Sequence, residues 1–150
     1  MRESPSFFAF PLMLSLHAIG MGLAAGINSA LALRLLGLAP DVPVNEMERY
    51  FPVMWAGVWV NGLSGIALLI AYPTKALTNP VFFLKLALVV AALTISRAIG
   101  RRVFRGATAR ETGRARTERR LAVASLAVWA SAITAGRLLA YTYTHILAAR

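Results

Sequence analysis

Three ionisable side chains sit inside long apolar runs of this sequence: His17, Lys85 and Arg137. On insertion scales each costs roughly 2.5 to 3.5 kcal/mol at the centre of a membrane span unless it is paired or wetted, which makes their chemistry informative. An imidazole can ligate a metal or relay a hydrogen bond, whereas an ammonium and a guanidinium hold anions or carbonyl oxygens. Asn61, within Trp59-Val60-Asn61-Gly62, and Asn28 add uncharged polar groups to such runs. All six carboxylates, Glu3, Asp41, Glu46, Glu48, Glu111 and Glu118, lie outside the runs, so Lys85 and Arg137 have no counter-charge of their own there. They ask for an acceptor from outside the chain. A haem b offers two propionates together with an iron for His17, a quinone offers carbonyl oxygens, and a lipid head group offers phosphate. A bare metal ion does not fit, because two cations repel it and a single histidine lies at the right depth.

Each of these residues also has a structural reading. His17 can donate to a backbone carbonyl, Lys85 can extend its stem to the interface, and Asn61 can join two helices by a hydrogen bond. Arg137 is too deep to reach the interface easily and is the strongest functional clue of the set.

The elements that must position these residues follow from composition. With 58% hydrophobic residues and 15% charged in 150 residues, against about 25% charged in a typical soluble domain, the chain belongs to the membrane class. At ~1.5 Å per residue four runs cross a ~30 Å hydrocarbon core, approximately residues 7–36, 53–72, 80–99 and 121–147. No succession of short alternating segments suggests a barrel, and lipid leaves an open sheet edge without partners. The expected fold is all-α, a four-helix transmembrane bundle forming one domain.

Counted from the outer end of each span at ~1.5 Å per residue, His17, Asn61 and Arg137 lie about 15 to 16 Å deep and Lys85 about 8 Å deep. That convergence predicts one site in the outer half of the bundle, built from His17, Asn61, Lys85 and Arg137, with His17 as the metal ligand of a haem. His145 lies ~3 Å from the end of its span, about 12 Å out of level with His17, and is poorly placed as a second axial ligand. Ligation by His17 alone, or by His17 with Lys85, stays open.

Between the spans the punctuation is clear. Pro40, Pro43 and Pro52 mark a polar first loop with a short interfacial helix expected around Asn45 to Tyr50, and Asn79-Pro80 reads as the cap and first turn of the third span. Arg2 before an apolar run imitates a signal peptide, but the run continues to about Leu36 with no early small-residue cleavage site, so a retained first span is expected. Gly22 and Gly26, and Ala127, Ser131 and Ala135, form small-xxx-small steps that suit close helix packing. Without cysteine there is no disulfide, thiolate metal site or iron–sulfur cluster.

Although the net charge is +10, nine of the 16 basic residues are arginines between Arg97 and Arg120, a local concentration that reads as topology and not as nucleic-acid binding. The positive-inside rule places this loop in the cytoplasm, with the N and C termini outside a bacterial inner membrane, and Arg97 to Arg120 resting on anionic lipid.

Ser15-Leu16-His17-Ala18-Ile19-Gly20, Leu33-Arg34-Leu35-Leu36-Gly37, Asn79-Pro80-Val81-Phe82-Phe83-Leu84-Lys85-Leu86, and Ser125-Leu126 with Trp129 and Ala135-Gly136-Arg137-Leu138 together resemble a family of uncharacterised bacterial four-helix membrane proteins over nearly the whole chain. Where that family leads one to expect an acid before Leu33, this chain has Ala32. A histidine on the first helix with Lys-Leu opening the third is more distantly similar to the haem-associated protoporphyrinogen-oxidising membrane family and to the copper-resistance protein D family. The former resemblance implies functional roles for His17 and Lys85, while a further histidine at the start of the third helix is missing. Taken together, the expectation is a small redox or electron-transfer component binding haem b or quinone. The alternative is a non-catalytic accessory or anchoring subunit of a larger membrane complex. Whether the chain is an enzyme is left open by its residues.

Overall fold

The computed structural model describes residues 6–71, 73, 77–105 and 111–148, with side chains over 10–71, 73, 77–104 and 116–139. The elements are α1 (Ser6–Leu35), α2 (Val44–Glu48), α3 (Phe51–Ala71), α4 (Pro80–Arg105) and α5 (Glu111–Ala148), with no strand among the described residues. Four helical segments, Phe10–Leu35, Val44–Ala71, Pro80–Phe104 and Arg116–Leu139, are long and apolar enough to cross a bilayer. The protein is a multi-pass integral membrane protein of all-α fold. In lipid only a helix satisfies every backbone group within its own segment, so apolar runs of this length leave no alternative.

Helix boundaries reflect local chemistry. α1 ends in a Schellman turn: Gly37 takes φ 101°, the Leu38 N–H donates to Leu33 O at 3.1 Å, and the Gly37 N–H donates to Arg34 O at 3.1 Å. Arg34 then gathers the following loop, donating through Nε to Val42 O at 2.6 Å and through Nη2 to Pro40 O at 2.9 Å. At the start of α4, Asn79 Oδ1 accepts the Val81 N–H at 3.0 Å and Pro80 occupies the first helical position. Much of the arginine-rich stretch is helical, as a partly helical arm would be. α4 continues through Arg105 and α5 begins at Glu111, because arginine, alanine and glutamate are good helix formers once a helix is already running.

The packing buries many small residues, along with a few large ones such as Leu31, Met54, Ile99 and Trp129, and leaves many large apolar residues outside. Ala24, Ala25, Ala32, Ala92, Ala122, Ala132 and Ala135 are buried, while residues such as Trp59, Ile66, Ile70 and Val90 are exposed to the surroundings. This suits a bundle whose outer surface meets lipid and whose helices associate by close backbone approach. α1 packs against α3 and α5, and α4 packs against α5, giving the spatial order α3, α1, α5, α4. The α3 and α4 backbones stay largely apart.

The tightest crossing, between α1 and α3, is made by Gly20 and Gly57. A Cβ on Gly20 would lie 2.6 Å from Asn61 N and 2.7 Å from Gly57 O, and one on Gly57 would lie 2.7 Å from Leu23 Cβ. Gly22 and Gly26, whose spacing suggested such a crossing, face open space. Of the step on the last span, Ala135 is buried while Ala127 and Ser131 are exposed. Spacing pointed to the first and last spans, whereas the closest backbone approach joins α1 to α3, and of the nominated small residues only Ala135 is buried.

Candidate functional site

The Gly20–Gly57 crossing brings the polar residues of α1 and α3 into contact one turn outward. His17 Nδ1 lies 3.0 Å from the backbone O of Asn61, and Asn61 Nδ2 returns a bond to the backbone O of His17 at 2.7 Å. Ser64 Oγ donates to Val60 O at 2.6 Å, so its lone pairs are available to His17 Nδ1 at 3.2 Å. A carbonyl oxygen only accepts, which places the imidazole hydrogen on Nδ1 and leaves the lone pair on Nε2. That lone pair meets Lys85 Nζ at 3.2 Å, with the ammonium as donor.

Two glycines frame the contact. A Cβ on Gly65 would lie 3.1 Å from His17 Cε1, and one on Gly136 would lie 3.5 Å from Lys85 Cε and 3.7 Å from Nζ. All four spans therefore contribute: α1 gives His17, α3 gives Asn61, Ser64 and Gly65, α4 gives Lys85, and α5 gives Gly136. Lys85 is half-buried, and among the described residues His17 is its sole hydrogen-bond partner, with no ion pair. An ammonium has three donors, so donor capacity remains for an acceptor from elsewhere.

Of the four residues nominated by sequence, the structure brings together His17, Asn61 and Lys85. Arg137 differs. It follows Gly136 directly, yet its side chain is exposed and has no hydrogen-bond or ion-pair partner among the described residues. Successive helical residues point about 100° apart, so when Gly136 faces Lys85 its neighbour turns outward. The side chain of His145 lies outside the described residues. Ser64, Gly65 and Gly136 were not nominated; the signal was their spacing, because Ser64 and Gly65 follow Asn61 by three and four positions and so lie on its helix face.

A second polar group lies deeper in the bundle. Asn28 is fully buried and its Nδ2 donates to Ser125 Oγ, also buried. Asn28 Oδ1 and Trp129 Nε1 are buried without a partner among the described residues. Between this level and the His17 level lies an apolar layer of Ala24, Ala25, Ala92 and Trp129, backed by Met21, Val58 and Leu93.

Comparison with protein families, with curated proteins and with solved structures finds no match. The chemistry of the site has to be read from its own geometry. An oriented imidazole and a lysine with unused donors, within the spans and without a carboxylate partner among the described residues, can hold an anionic or carbonyl oxygen. A chelated metal is less well served, since among the described residues no three His, Cys, Asp or Glu side chains come together.

Proposed function

We propose that this protein is a small redox component of a bacterial inner membrane that binds a quinone through a carbonyl oxygen at the His17–Lys85 contact. The observation that carries the reading is Lys85 Nζ, 3.2 Å from His17 Nε2, inside a span and without a carboxylate partner among the described residues. A quinone supplies electron chemistry and oxygens that accept hydrogen bonds. The chain's own groups do the rest: Asn61 and Ser64 fix the imidazole, the imidazole fixes the ammonium, and the ammonium donates to the bound oxygen. Lateral entry from the lipid is favoured by the separated α3 and α4 backbones. The positive-inside rule orients the proposed assembly with the arginine-bearing helix ends in the cytoplasm and the termini outside.

Haem b is the second reading, favoured by the Nδ1 hydrogen bond from His17 to the Asn61 carbonyl, the kind of partner that orients metal-ligating histidines. As arranged, however, the Nε2 lone pair that iron would need already accepts from Lys85, so this reading requires the lysine to withdraw.

The test uses full-length protein in mild detergent, titrated with a short-chain quinone, together with oxidised and dithionite-reduced visible spectra. Saturable quinone binding with no haem absorption supports the first reading. A reduced-minus-oxidised b-type signal, lost in His17→Ala, replaces it with the second. If both experiments are negative, the redox assignment fails and an accessory role in a larger complex takes its place.

A further inference from the structure

About twelve residues along α4 from Lys85, or ~18 Å by helical rise, the structure contains an open groove of about 370 Å³ lined by Glu48, Phe51, Trp55, Arg97, Arg101 and Phe104, among others. It falls within the ~300 to 1,000 Å³ range of small-ligand sites. Its walls are built by side chains that bridge the two helices whose backbones part. The Phe51 ring is seated on Gly100, where a Cβ would lie 2.7 Å from Phe51 Cε1, and Phe51 meets Phe104 edge-on with ring centroids 4.9 Å apart.

The charged groups are arranged for an outside partner. The Arg97 guanidinium carbon lies 4.7 Å from the centroid of the Trp55 ring. A cation–π contact of this kind engages the face of the guanidinium and leaves its edge donors available. Arg101 lines the same groove one turn along, on the same face of α4. Among the described residues neither arginine forms an ion pair, with Glu48 or with any other carboxylate, so the groove has two guanidiniums against one carboxylate. The fork geometry of arginine suits phosphate oxygens, and the aromatic walls lie where the apolar segments Val44–Ala71 and Pro80–Phe104 begin and end. A cation pair, an aromatic rim and a groove between two apolar helices whose backbones stay apart match a diacyl phosphate better than a water-soluble anion.

We infer that this groove is a binding site for an anionic phospholipid, with the phosphodiester between Arg97 and Arg101 and the acyl chains along the cleft between α3 and α4. Basic pockets between spans at a membrane interface bind anionic head groups in this way. The net positive balance selects against zwitterionic lipid, whose choline or amine repels the same arginines. The inference is independent of the quinone reading, because it uses none of the residues at the His17 level.

The test is native mass spectrometry of the full-length protein with added phosphatidylglycerol, phosphatidylcholine or inorganic phosphate. One phosphatidylglycerol should be retained in preference to phosphatidylcholine, and R97Q/R101Q should weaken that binding by roughly tenfold or more. R116Q/R120Q, which removes the same charge elsewhere on the arginine-rich stretch, should leave it unchanged. Equal retention of the two lipids by the wild-type protein would overturn the inference without any variant. So would equal weakening by the two double variants, which would mean a diffuse basic surface. Displacement of bound lipid by millimolar inorganic phosphate would assign the groove to a free anion instead.

Discussion

The imidazole of His17 is held by a carbonyl that can only accept, and this fixes everything downstream of it. With its hydrogen on Nδ1 toward Asn61 O, its lone pair has one outlet, Lys85 Nζ at 3.2 Å. Replacing Lys85 with methionine keeps the length of the stem and removes the donor. A hydrogen bond to a charged group contributes about 1.5 to 3 kcal/mol, so Lys85→Met should raise the quinone Kd by roughly 10- to 100-fold. Arg137→Leu, at an exposed position, should change it by no more than about twofold. Equal losses in the two variants, measured by titration in detergent, would return Arg137 to the site. Gly65→Ala sets a Cβ 3.1 Å from His17 Cε1 and so must tilt the ring; weaker binding with little loss of thermal stability is the expected pair of results. The pairing of His17 with Asn61 and Lys85 was legible because polar residues at similar depths in different spans seek one another. The outward turn of Arg137 was not, since depth can be counted along a helix whereas its rotation about the axis depends on which neighbour each face meets.

Between helices, the same limit governs the glycines. Gly22 and Gly26 have the spacing of a close-packing motif but face open space, while Gly20 and Gly57 have backbone atoms within 3.0 Å of where a Cβ would be. Gly20→Ala should therefore destabilise the bundle by about 1 to 3 kcal/mol through overpacking, and Gly22→Ala should be neutral or stabilising by up to about 1 kcal/mol through helix propensity. Thermal unfolding in one detergent compares them directly, and reversed ranks would disprove the assigned crossing. Asn28 presents a polar counterpart. Its bond to Ser125 joins α1 to α5, and Asn28→Ala should cost roughly 0.6 to 2 kcal/mol in the same measurement. Helix number, the Asn79 cap and the short interfacial helix were readable from runs and punctuation; which small residues meet across an interface is set by tertiary contact, and no single-chain period encodes it.

For the molecule as a whole, the nine arginines between Arg97 and Arg120 set the expected orientation. The absence of cysteine makes this simple to measure. In intact cells an impermeant thiol reagent should label Thr78→Cys, on the outer side, and spare Asp41→Cys until the membrane is opened; the reverse pattern would invert the topology. The packing order adds a further expectation. α1 pairs with α3 and α4 pairs with α5, and the two hairpins are joined chiefly along α1 and α5. His17 and Asn61 belong to the first pair, Lys85 and Gly136 to the second, so neither half holds the site alone. A gene split between the codons for Ala71 and Pro80 should consequently act as a complementation pair: two fragments, each inert, whose encounter in the bilayer restores quinone binding and makes that binding a readout of their assembly.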